Sequence, residues 1–233
     1  MNKNIITGVV IIIGFLVIWF AINSGGSPAE RGADMSKTTD SYAKTTNEEK
    51  VVTEEKKDIN NLENKKYMNA TLKTSKGDIT IEFFDKQAPN TVANFLKLAK
   101  EGFYSGIKFH RVIKGFMVQA GDPLTKDDSK MAQWGTGGPG YKFADEIDAK
   151  SDLYVKTGYA KGVVAMANSG QNTNGSQFFI MTETYPLPPL YTIFGKVISG
   201  QNVVDEIANV KTTQPGVLDR PISPIIINSI SLK

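Results

Sequence analysis

The stretch FHRVIKGFMVQAGD, Phe109–Asp122, sets the single histidine of the chain beside an arginine and follows them with Phe116, Met117 and Gln119. Two readings suit it. In one, this is an ordinary core strand from which Arg111 emerges into water. In the other, a guanidinium that keeps its charge at neutral pH stands beside an apolar pocket, where it can stabilise electron density developing on a substrate atom. Strand alternation puts His110 and Val112 on one face and Phe109, Arg111 and Ile113 on the other. Gly115 can break the register before Phe116.

A second stretch, MANSGQNTNGSQFFI from Met166 to Ile180, is a long polar loop held between apolar segments, with more Asn and Gln than a bare turn needs. A third, WGTGGPGYKFADE from Trp134 to Glu146, has glycine spacing but lacks the Gly-Lys-Ser/Thr ending of a phosphate-binding loop, so it reads as a flexible surface loop flanking a groove. Asn174-Gly175-Ser176 matches a glycosylation acceptor inside the polar loop and receives no role.

Composition narrows the chemistry. The chain has no cysteine and one histidine, which removes disulfides, thiol nucleophiles and zinc sites of Cys or paired His. A hydrolase would need His110 as its base, with Ser176 as a distant candidate nucleophile, and no Gly-x-Ser-x-Gly elbow accompanies them. No metal or cofactor is expected. A net charge of +3 without a long basic run argues against nucleic acid as a partner.

The elements that must hold these residues follow from periodicity. At 233 residues and 40% hydrophobic content the chain supports one cored domain with appendages. ATLKTSKGDITIEFF reads as a hairpin turning at Ser75-Lys76-Gly77-Asp78. APNTVANFLKLAKEGFY predicts a helix starting near Pro89, with Val92, Phe95, Leu96 and Ala99 at helical spacing and Gly102 as its stop. IKFHRVI, GFMVQAG, GVVAMAN, SQFFIMT and YTIFGKVIS are short strand-like runs; QNVVDEIANV predicts a second helix and PIIINSISL a closing strand. Many short strands with two helices suggest a closed or sandwiched antiparallel sheet, the helices covering its ends.

Ahead of this domain, Ile5–Ile22 carries no charge and as a helix would rise about 27 Å, close to the hydrocarbon thickness of a bilayer. It is longer than the apolar core of a secretory signal and offers only a poor cleavage site, so residues 1–22 read as a transmembrane anchor or uncleaved signal. Residues 23–66 are Ser-, Thr-, Asn-, Lys- and Glu-rich and read as a flexible tether with a reach of roughly 35–40 Å. Charge flanking the apolar run favours an inside N-terminus and an exported domain over residues 67–233.

FHRVIKGFMVQAGD, GVVAMANSGQNTNGSQFFI and YTIFGKV, in this order and spacing, resemble the cyclophilin family of peptidyl-prolyl cis-trans isomerases across nearly all of residues 68 to 233. The resemblance implies a mainly β fold, a closed eight-stranded antiparallel β-barrel capped by two α-helices. It implies isomerisation of X-Pro bonds in unfolded or partly folded exported polypeptides, without metal, nucleotide or covalent intermediate. Arg111 takes the position of the catalytic arginine. Phe116, Met117, Phe179 and Leu187 take those of the proline pocket, Gln119 and Gln177 those of polar groups holding the substrate backbone, and Ala167 and Asn168 those of the segment pairing with the peptide main chain. Tyr191 stands where His is frequent, and His110 reads as structural support.

One departure is plain: no tryptophan stands between Phe179 and Phe194, where many eukaryotic members have one, and the loop is one residue short. Tyr185 and Pro186 are the candidates to replace that ring. The resulting expectation is a bacterial, membrane-anchored, single-pass isomerase whose catalytic domain is monomeric and extracytoplasmic, with proline-containing segments as its partners. The alternative is a non-catalytic chaperone module that binds proline peptides in the same groove.

Overall fold

The computed structural model describes residues 67–213 and 218–233. The apolar run at Ile5–Ile22 and the tether at 23–66 lie outside the described residues; among those described, no helix is long and apolar enough to cross a membrane.

Eleven strands occur along the described chain: β1 Asn69–Thr74, β2 Gly77–Phe83, β3 Ile107–Lys108, β4 Arg111–Ile113, β5 Met117–Ala120, β6 Val163–Met166, β7 Phe178–Met181, β8 Ile193–Ser199, β9 Thr212–Thr213, β10 Arg220–Pro221 and β11 Ile226–Leu232. Two helices, α1 Pro89–Lys100 and α2 Gln201–Ala208, stand where periodicity predicts them. Nine strands make one antiparallel sheet in the order β3-β11-β1-β2-β8-β6-β7-β5-β4, and β9 pairs with β10 as a separate ribbon.

The hairpin of β1 and β2 turns through Ser75 and Lys76, with Thr74 opposite Gly77. Alternation then places Ala70 and Leu72 of β1 and Ile79 and Ile81 of β2 in the core, all fully buried. Phe95 of α1 is the hub of that core, its ring 5.0 Å from Tyr104, 5.5 Å from Phe194 and 5.6 Å from both Phe83 and Phe178. Gly102 ends α1 as expected. It takes φ 70, and the Phe103 N–H closes back on the Leu98 carbonyl.

The expected strand over Ile107–Ile113 is instead two. Phe109 N–H bonds to the Ile225 carbonyl on one side and His110 N–H to the Gln119 carbonyl on the other, so pairing changes partner between adjacent residues. With this split the sheet has nine strands. The split corrects the expected strict alternation, because Phe109 and Val112 share the central core. Ile107 of β3 and Val112 of β4, from opposite edges of the sheet, belong to that same core, so the sheet curls around it.

The start of α1 has an unusual cap. Ala88 offers no side-chain acceptor, and a carboxylate from a distant loop takes its place: Glu146 accepts from the Asn90 N–H at 3.0 Å and the Thr91 N–H at 2.7 Å, and from both their side chains. The negative charge sits at the positive end of the helix dipole. The Glu146 N–H in turn donates to Thr192 Oγ1 at the entrance to β8. Replacing Glu146 with alanine should therefore lower stability by about 1–3 kcal/mol. The expected result is a lower urea midpoint at an unchanged slope; a midpoint equal to wild type would refute this role for the carboxylate.

Candidate active site

On the face of the sheet turned away from the main core, cross-strand registers build a row. Arg111 of β4 is opposite Gln119 of β5, Gln119 opposite Phe179 of β7, and Phe179 opposite Ala165 of β6. Directly opposed residues share a face, so guanidinium, amide and aromatic ring project together. The neighbouring row runs Ile113, Met117, Met181. Met117, Val163, Ala165, Phe179, Met181 and Ile193 form a second apolar cluster, separate from the core, against which Phe116, Ala167, Leu187 and Tyr191 pack half-buried. The sequence-expected pocket residues Phe116, Met117, Phe179 and Leu187 thus meet in one place, with Arg111 and Gln119 at its side.

The loop that departs from the family pattern still builds the wall. The Tyr185 ring lies 4.8 Å from Phe116, and Tyr191 meets Phe179 edge-on at 5.5 Å. Two tyrosines with no sequence signal lock it. Tyr159 Oη donates to the Tyr191 carbonyl at 2.8 Å and accepts from the Tyr191 N–H; Tyr154 Oη donates to the same carbonyl and accepts from the Ile193 N–H. Burial pushes the Tyr159 hydroxyl up, so it stays protonated. Asn168 contributes a further tie, its Nδ2 donating to the Leu190 carbonyl at 2.9 Å. Its main-chain N–H makes no hydrogen bond among the described residues, one residue beyond the Ala167 N–H that bonds to the Gln177 carbonyl.

Gln177 is tied to both Gln119 and the Gly-rich loop. Its Oε1 accepts from Gln119 Nε2 at 2.9 Å, and its Nε2 donates to the Gly135 and Gly137 carbonyls, each at 2.9 Å. Both amide hydrogens are committed within the protein, and the bond to Gln119 orients that side chain. The same loop is held from the other side by Asp122, fully buried, whose carboxylate accepts from the Gly135 and Gly137 N–H groups. The Gly-rich segment is therefore clamped at both its donors and its acceptors rather than being a flexible flap. Gly137 has no alternative: a Cβ there would lie 2.1 Å from Asp122 Oδ1.

Arg111 is half-buried. Burial draws its guanidinium below its ordinary value, and the charges of Asp219 and Tyr191 pull the other way. His110 is on the inner side, 5% exposed, with neither ring nitrogen hydrogen-bonded. Burial pushes it down to about 4, with Asp122 opposing and Arg111 reinforcing the shift. Ser176 gives its hydroxyl proton to the Gly121 carbonyl at 2.7 Å rather than to His110, so the hydrolase arrangement is not built. Asn174 is fully buried, which keeps the glycosylation acceptor out of reach in the folded domain. Among the described residues no three His, Cys, Asp or Glu side chains are grouped to hold a metal ion.

Residues 67–232 match the family described as cyclophilin type peptidyl-prolyl cis-trans isomerase/CLD. The chain is 45% identical over 166 residues to the peptidyl-prolyl cis-trans isomerase CYP18-1 of Arabidopsis thaliana, covering 71% of this chain and 96% of that one. It is 45% identical over 181 residues to peptidyl-prolyl cis-trans isomerase A of Mycobacterium tuberculosis, covering 70% and 91%. A crystal structure of a cyclophilin type isomerase from Cryptosporidium parvum, in the presence of the dipeptide Ala-Pro, superposes with a TM-score of 0.60 at 35% identity, covering 71% of this chain and 98% of that one.

His110 makes a testable signature. Its folded value lies below the ordinary 6.5, so between about pH 6.5 and 4 the unfolded chain takes up a proton that the native state refuses. This contribution to stability is complete above pH 6.5 and is lost as pH falls through that window. The urea midpoint should decline from pH 6.5 to 5, and a His110→Phe variant should flatten the decline. A histidine resonance titrating near pH 6.5 in the native protein would contradict the buried, neutral imidazole.

Proposed function

The chain belongs to the cyclophilin-type peptidyl-prolyl cis-trans isomerases, and from that premise we propose that Arg111 drives rotation of an X-Pro bond seated on the Phe116, Met117, Phe179 and Leu187 floor. The observation that carries this is the cross-strand row of Arg111, Gln119 and Phe179 beside the outer apolar cluster.

Rotation must break the partial double bond of the amide, a barrier of about 18–20 kcal/mol. In the twisted state the prolyl nitrogen becomes pyramidal and regains a lone pair. A guanidinium hydrogen aimed at that nitrogen binds the twisted state better than the planar one, which is the differential that accelerates the step. The apolar floor grips the proline ring while the other side turns. Gln119, its amide donor directed to Gln177, offers its carbonyl oxygen to a substrate N–H. The Ala167–Asn168 segment meets the peptide main chain through the open Asn168 N–H. The loop of Tyr185, Leu187 and Tyr191 still walls the pocket, which removes the main ground for a non-catalytic chaperone module.

Three further parts of the reading concern the closure of the sheet, the membrane span and the tether. We read the sheet as a closed eight-stranded barrel capped by α1 and α2, with β3 and β4 counted as one strand that joins the two edges; their separation by only two residues supports this. We read Ile5–Ile22 as a single membrane span and residues 23–66 as a tether, which hold a monomeric catalytic domain on the extracytoplasmic face of a bacterial membrane. There it acts on proline-containing segments of chains emerging unfolded from export, where unaided exchange takes tens to hundreds of seconds.

In a peptide isomerisation assay, wild type should accelerate exchange, and Arg111→Ala should reduce kcat/KM by about 10²–10³-fold, mostly in kcat. Arg111→Lys should recover little, because a point charge replaces a planar fork. Full activity in the alanine variant would sink the assignment. For the anchor, the full chain should stay with membranes after an alkaline carbonate wash, and protease added outside intact cells should degrade the domain. A chain released by the wash or protected from the protease would overturn that part.

A further inference from the structure

The loop between β7 and β8 reads Tyr185-Pro-Leu-Pro-Pro-Leu-Tyr191, and its composition limits how it can be held. Proline has no N–H, so Pro186, Pro188 and Pro189 offer the surrounding protein no backbone donor. Four donors are left. The Leu187 N–H bonds to the Tyr185 carbonyl and the Leu190 N–H to the Pro188 carbonyl, each at 2.8 Å and both inside the loop. The other two go to a single residue outside it. The Tyr185 N–H bonds to the Tyr159 carbonyl at 3.1 Å, and the Tyr191 N–H to Tyr159 Oη, also at 3.1 Å.

Tyr159 lies in the bend ahead of β6 and is 4% exposed, its ring in the outer apolar cluster with Met117 and Phe179. The residues after it follow the start of the loop: the Lys161 N–H donates to Thr184 Oγ1 and the Gly162 N–H to the Met181 carbonyl. The Tyr159 backbone thus holds one end of the loop while its hydroxyl holds the other. Those ends carry the two wall rings, Tyr185 at 4.8 Å from Phe116 and Tyr191 at 5.5 Å from Phe179, and Leu187 stands between them in the chain.

We propose that Tyr159 is a positioning residue for substrate binding: its carbonyl and its hydroxyl fix both ends of the 185–191 loop, so that Tyr185, Leu187 and Tyr191 are set against the apolar floor before a proline arrives. A loop so poor in donors would otherwise have to be ordered on binding, which lowers affinity. Arg111, Gln119 and Phe179 are held by β4, β5 and β7 instead, so the effect falls on binding rather than on rotation. The inference rests on the reading of that floor as the proline pocket.

Phenylalanine is the informative replacement, since it keeps the ring and the carbonyl and removes only the hydroxyl. In the full chain, well below its melting temperature, Tyr159→Phe should raise KM about 5–10-fold with kcat within about two-fold of wild type. In a Leu187→Ala background the same change should add little, because both act through one loop; a loss of stability alone would add equally in either background. Wild type supplies a readout that needs no variant to fold: the Tyr191 amide proton should exchange slowly and show a nuclear Overhauser contact to the Tyr159 hydroxyl proton. An unchanged KM in folded Tyr159→Phe, a loss confined to kcat, or a fast-exchanging Tyr191 amide overturns the inference and leaves the pocket standing. Wild-type KM and kcat in Phe179→Ala would overturn the pocket and the inference together.

Discussion

Between Phe109 and His110 the backbone changes partner, from the Ile225 carbonyl to the Gln119 carbonyl, and most of the site follows from that change. A strand that kept one partner would have put Phe109 and Arg111 on a common face. Because it turns, Phe109 and Val112 both enter the core, His110 is sealed inside, and Arg111 begins a new strand with its side chain on the outer face. The break also leaves β4 with one edge unpaired by the sheet, which the Asp219 backbone covers. A charged residue is thus placed beside apolar ones without the core having to accommodate it.

The loops around the groove are held by polar groups buried beneath them. Asp122 and Gln177 take both the donors and the acceptors of Gly135 and Gly137, and Tyr154 and Tyr159 do the same for the Tyr191 peptide. Each neutral bond contributes roughly 1 kcal/mol net, but leaving any one partner buried and unmet costs more, so the arrangements form as units. Thr192 joins the Tyr191 loop to Glu146, and Glu146 joins it to the start of α1. The walls of the groove are therefore continuous with the helix cap, and binding does not have to order them first.

Local periodicity carries the elements well: the hairpin, both helices with the Gly102 stop, and every strand-like run apart from the one that splits stand where spacing puts them, while the β9–β10 ribbon gave no such signal. The motif residues Arg111, Phe116, Met117, Gln119 and Phe179 were legible because they sit in two of three short segments whose order is specific, and Leu187 because it lies between the second and the third. What was not legible depends on distant partners. The Gln177 amide donates to Gly135 and Gly137, some forty residues earlier, and Glu146 caps a helix that begins more than fifty residues earlier. Tyr154 and Tyr159 belong to a segment without a motif, and their roles exist only once the chain has folded. The glycines of 134–140 read as mobility because composition cannot reveal a buried carboxylate placed to hold them.

The same arrangement makes the charge of the site nearly constant. Isomerisation transfers no proton, so the site gains nothing from a group poised near neutrality. His110 is neutral down to about pH 4, and the Tyr159 hydroxyl stays protonated. Arg111 stays cationic even though burial works against it, since an arginine begins so far above neutrality. Half-burial is the useful compromise for that cation. In open water its field on a prolyl nitrogen would be screened, and fully inside the core its loss of hydration would exceed the gain. At the rim of the outer cluster, with Phe179 two strands away, the half-buried guanidinium keeps enough water to remain charged.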